Sequence, residues 1–62
     1  MNSNIVIELA REIARVRSLL EKFEPQKRRE AERTIRFAEL AQQQCDIGSM
    51  YEFFDDLRGI QP

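Results

Sequence analysis

Between Ile5 and Phe23 six apolar residues, Val6, Leu9, Ile13, Val16, Leu20 and Phe23, recur at alternating steps of three and four. On a helix that spacing draws one apolar stripe, the a/d pattern of a helix that requires a partner. Ile5 and Leu19 at g and Ala10 at e widen it. Two arrangements satisfy such a stripe: the buried face of an amphipathic helix in a small bundle, or a seam with a second copy of the chain. The six residues are therefore the candidate dimer interface.

The remaining segments read as two further helices. Asn2, Ser3 and Asn4 are each competent to cap the first, because a short polar side chain accepts from the unpaired amides of the opening turn. Pro25 should end it: within a helix the ring would remove a hydrogen bond and collide with the carbonyl of Glu21, and it pushes Glu24 out of helical angles. Proline also suits the first turn of a new helix. With no glycine nearby to cap the first helix, a kinked continuous helix is the alternative to a hairpin. Equal lengths of about 28–30 Å favour the hairpin.

The second helix carries a narrow stripe of mostly small side chains, Ala31, Thr34, Ile35, Ala38, Ala41 and Cys45, with Phe37 and Leu40 to one side. That apolar arc is wider than one neighbouring helix covers. Cys45, with no basic neighbour in sequence, reads as a small buried residue. Asp46-Ile47-Gly48 should end the helix, with Gly48 in the left-handed turn. Ser49 and Glu52 then form a capping box ahead of Met50, Phe53, Phe54 and Leu57, a spacing of one apolar helix face that closes at Gly59. This helix is too short to stand alone. The expected architecture is all-α: a single domain spanning 1–62, with helices at about 4–23, 25–45 and 49–58, a hairpin plus a short third helix assembling as a dimeric helical bundle.

A core of about sixty residues rarely supplies more than roughly 3–5 kcal/mol of net stability without a staple, a metal or a partner. Cys45 is the sole cysteine and the chain has no histidine, so neither an intrachain disulfide nor an ordinary zinc site can supply the support. Association is left, as a homodimer. The lone thiol and the charged residues that interrupt the first apolar run argue for a cytoplasmic protein with no membrane segment.

Chemistry is hard to find. Without histidine, acid and base work would fall to carboxylates or lysine, and there is no Ser/His/Asp, Cys/His or glycine-rich phosphate motif. Glu52, Asp55 and Asp56 lie one turn apart, which suits a solvated helix face better than a metal site. No cofactor is implied, and the chain reads as a non-enzyme.

Charge separates along the chain although it nearly cancels overall, at −1. From Arg11 to Arg36 nine basic residues face five acidic ones, and from Phe37 onward five acidic residues face Arg58 alone. Pairs three or four apart, among them Glu8 with Arg11, Glu12 with Arg15, Arg28 with Glu32, Glu30 with Arg33 and Glu32 with Arg36, can offset part of the basic excess. Lys27, Arg28 and Arg29 stand beside the positive end of the second helix, against the dipole, a placement that can mark an anion site.

Two functions follow. The first is a small regulatory protein that dimerises and binds a protein partner through Phe37, Leu40, Met50, Phe53, Phe54 and Leu57. The second is a nucleic-acid binder using Arg11, Arg15, Lys22, Lys27, Arg28, Arg29, Arg33 and Arg36. The size, the two-helix plan and the Leu19-Leu20-Glu21-Lys22 run before the turn resemble the Rop family of plasmid copy-number proteins, dimeric hairpins that bind RNA. That resemblance implies a dimer and an RNA ligand, and the third helix departs from it. A sequence pI near 5.4 and the interleaved glutamates favour the protein partner.

Overall fold

The computed structural model describes residues 4–62, so Asn2 and Ser3 as caps lie outside the described residues. Three helices pack against one another: α1 (Ile5–Leu19), α2 (Pro25–Gln44) and α3 (Ile47–Arg58), with a 3₁₀ turn at Leu20–Lys22. No strand occurs among the described residues. Asn4 caps α1, its side chain accepting from the amides of Val6 at 3.0 Å and Ile7 at 3.4 Å.

The hairpin forms where proline demands it. Phe23 and Glu24 are extended, with ψ of 151° and 155°, and Pro25 opens α2. A kinked continuous helix is thereby excluded. Phe23 turns inward and is buried, which anchors the connection to the core.

α3 closes the open side of that hairpin and touches α1 and α2 each more extensively than they touch each other. Ala31, Ala38 and Ala41 of α2 are buried, so their small side chains let α3 approach closely. Met50 and Leu57 reach full burial, at 1% and 0% exposure, and join Leu9, Ile13, Val16 and Ile35 in one core. Phe53, Phe54 and Ile60 pack partly buried at its margin. The third helix thus completes a bundle within one chain and departs from a two-helix plan.

Four local expectations need correction. In α1 the buried positions are Ile5, Leu9, Ile13 and Val16, while Val6 is 45% exposed. On a 3.6-residue helix Ile5 and Val6 flank the centre of the Leu9, Ile13 and Val16 stripe on opposite sides, and the bundle covers the side of Ile5. Cys45, expected inside, is exposed. It holds the left-handed position ending α2, at φ 54° and ψ 37°, and the Asp46 amide donates back to the Ala41 carbonyl at 3.0 Å, as in a Schellman turn.

Gly48 is consequently not the turn residue, and Ser49 is not the cap. Asp46 caps α3, its carboxylate accepting from the Ser49 hydroxyl at 2.8 Å and the Ser49 amide at 3.2 Å. Those bonds, the hydroxyl foremost, hold the Asp46 carboxyl below its usual value. The cap is therefore complete at neutral pH and weakens only as the pH falls through that lowered value. Starting α3 at Ile47 places Gly48 inside its first turn, with no left-handed angle to satisfy.

Substitutions at the turn should then invert the outcome expected from glycine placement. A methyl group on Gly48 would meet nothing closer than an Asp46 carboxylate oxygen at 3.8 Å. Gly48→Ala should stabilise the fold by about 0.4–1 kcal/mol, because alanine has less backbone freedom to lose. Cys45→Gly should gain up to about 1 kcal/mol by removing left-handed strain. Chemical denaturation of both variants checks the turn; a destabilising Gly48→Ala would contradict it.

Candidate functional site

The expected dimer stripe is divided by the fold. Leu9, Ile13, Val16 and Phe23 are buried within the single chain, Leu20 is partly buried, and Val6 remains half-exposed. Residues already buried have no surface to give a second copy without opening the bundle. The expected partner-binding set divides likewise. Met50 and Leu57 lie in the core, Phe53 and Phe54 are partly buried, and Phe37 and Leu40 stand out at 47% and 45% exposure.

The eight cations do not make one continuous basic face, because three of them hold helix ends together. The Arg15 guanidinium donates to the carbonyls of Leu57 in α3 at 2.8 Å and of Ile60 just beyond it at 3.3 Å while its Nε donates to Glu12 at 3.0 Å. Arg28 donates to Leu20 O at 3.1 Å and Phe23 O at 3.4 Å, where the first helix runs out. Lys27 donates to the carbonyl of Gln61, and its ammonium sits 4.9 Å from the centre of the Phe23 ring. Carbonyls at a helix C-terminus lack intrahelical donors and carry the negative end of the dipole, so cations belong there. Lys27 and Arg28, two of the three cations that oppose the dipole of α2, serve the ends of its neighbours.

Arg11, Lys22, Arg29, Arg33 and Arg36 make no intramolecular ion pair or side-chain hydrogen bond among the described residues. Of the expected pairs only Glu12 with Arg15 forms, at 3.0 Å. The other ion pair, Arg17 with Glu39 at 2.7 Å, joins α1 to α2 across 22 positions of sequence and has no signal in local spacing.

The surface left over is organised along α2 and α3. Phe37 stacks on Phe53, ring centres 6.0 Å apart and planes 13° from parallel. On one side of this pair a groove runs between Lys27, Glu30, Thr34 and Asp56, Gly59, Ile60; on the other, between Phe37, Leu40, Gln44 and Asp46, Ser49, Phe53. These matched levels show α2 and α3 lying antiparallel. Arg29, Arg33 and Arg36 follow the outer side of α2, opposite the buried Ala31, Ile35 and Ala38. Glu52, Asp55 and Asp56 are exposed on α3. Phe54 packs toward Arg58, whose guanidinium lies 5.6 Å from its ring centre.

Nothing in this arrangement encloses a small molecule. The depressions at the surface, up to about 330 Å³, are open dishes on helix flanks, one of them lined by Arg36, Phe37, Glu39, Leu40 and Gln43. No polar or charged side chain is buried among the described residues, and no three metal-ligating side chains converge there. No helix among them is long and apolar enough to cross a membrane. What the face offers is an aromatic and aliphatic strip between a basic edge and an acidic edge.

If Arg15 is a structural clamp, Arg15→Ala should cost about 1–2 kcal/mol, a charged hydrogen bond discounted for partial exposure. Faster amide exchange at the end of α3 should accompany the loss. A variant with unchanged melting and weaker nucleic-acid binding would contradict that role. No family model, curated protein or solved structure matches the chain.

Proposed function

We propose that this chain is a small non-enzymatic interaction protein that docks on another protein through the face formed by α2 and α3. The observation that carries the reading is the exposed pair Phe37 and Leu40, with Phe37 held by its stack on Phe53. Aromatic side chains and arginine are enriched where proteins meet, and a fixed ring loses little freedom on binding. Phe37 is pre-positioned in this sense, and Arg33 and Arg36 flank it on α2. Met50 and Leu57 contribute from beneath by fixing α3, and Phe54 by packing at the opposite margin.

Nucleic-acid binding is the second reading, favoured by the outward Arg29, Arg33 and Arg36. Engagement of Arg15, Lys27 and Arg28 at helix ends leaves it five of its eight cations, and Glu52, Asp55 and Asp56 would repel a polyanion laid across the same face. Protein docking uses the whole face; a nucleic acid would use one edge.

A photo-crosslinking amino acid at position 40, activated in the native host, reports what covers Leu40. A discrete protein adduct that disappears with Phe37→Glu is the expected result. No protein adduct at position 40, with nuclease-sensitive adducts from a crosslinker at position 29, would overturn the reading in favour of nucleic acid.

A further inference from the structure

We infer that the protein covering the α2–α3 face is a second copy of this chain, related by a two-fold axis running along the groove between the two helices. The inference rests on the reading of that face as a docking surface and adds the identity of the occupant. Its ground is the distribution of charge. Arg29, Arg33 and Arg36 stand on the α2 side, Glu52, Asp55 and Asp56 on the α3 side, and no ion pair joins the two sets within the chain among the described residues. Glutamates of α2 form no ion pair with this basic edge: Glu39 is engaged by Arg17, Glu32 lines the α1-side depression that Arg36 also borders, and Glu30 lies in the groove beside Lys27.

A partner for this face must be acidic opposite the outer side of α2, basic opposite α3, and able to cover a groove that holds Lys27, Glu30 and Asp56 next to the exposed Phe37. The face itself has that pattern once it is turned about the groove. Rotation by half a turn about an axis parallel to the helices, lying in the contact plane, sets each copy's α2 over the other's α3 and preserves height along the axis. Thr34 shares its groove with Asp56, and Phe37 stacks on Phe53, so those residues stand at matching heights. Arg33 of one copy therefore meets Asp56 of the other, Arg36 meets Glu52, and each contact occurs twice. Phe37 and Leu40 of both copies fall near the axis, where burial is most complete. A polyanion meets repulsion on half of this surface, and an all-acidic or all-basic protein gains nothing from the other half.

Charge exchange tests the crossed pairing. Sedimentation equilibrium from about 1 μM to about 1 mM spans the affinities expected of a small interface. The unmodified chain should approach twice its mass, less readily at high salt. Arg33→Glu and Asp56→Lys, both at exposed sites that leave helicity unchanged, should each weaken association at least tenfold. Mixed one to one, the two variants should recover a two-chain species, because both crossed pairs then have opposite sign. Arg36→Glu with Glu52→Lys repeats the exchange independently should either variant fail to fold. A monomer throughout, single variants without effect, or a mixture that stays monomeric would overturn the inference. If the unmodified chain is monomeric while position 40 crosslinks a different protein, the second copy is ruled out and the docking reading stands; with no protein adduct, both fall.

Discussion

Burial of Met50 and Leu57 between α1 and α2 is the interaction on which the structure depends. A chain of this length buries a smaller share of its surface than a large domain does, and a hairpin alone would leave the stripe of α1 facing water. α3 supplies the missing wall, but its twelve residues are too few to hold helical form in isolation. The dependence is mutual: α3 exists because the hairpin buries its apolar face, and the hairpin has a closed core because α3 is there. Both ends of α3 are fixed for this purpose, the first by Asp46 after a loop of two residues, the second by Arg15 reaching over from α1.

That dependence explains which parts of the fold were legible in the sequence. Pro25 dictated a break, and the apolar spacings of all three helices fixed their existence, because these are local rules applied to local patterns. The heptad reading of Val6 failed because an a/d repeat and a broad 3.6-period stripe differ by one residue over so short a run, and only the neighbour decides between them. The turn at Cys45 was missed for a related reason. Glycine is the usual left-handed residue, yet Asp46 offers a cap three positions before Ser49, and starting α3 there gives Met50 its place in the core.

The candidate site was legible only in part, because the chemistry of its charges is long-range. Arg15 lies 42 residues from Leu57, and Lys27 lies 34 from Gln61. Read along the sequence, such cations resemble an anion-binding run; in the fold they donate to carbonyls at the ends of the neighbouring helices, where Leu57 and Leu20 also accept from the amides of Ile60 and Phe23. Phe37 and Leu40 were legible as excess apolar surface, and they remain uncovered because Phe53 reaches only one side of Phe37. What stays outside the bundle is one strip of apolar surface with opposite charges on its two edges, and the functional reading follows from that remainder.

Native-state hydrogen exchange on dilute protein tests the central claim most directly. If α3 is the third wall of a core closed within one chain, the amides of Met50 and Leu57 should exchange through the same global opening as those of Leu9 and Val16, with equal protection that does not depend on protein concentration. Protection of α1 and α2 while Met50 and Leu57 exchange at the rates of an unstructured peptide would contradict it, and would mean that α3 is an appendage of the hairpin.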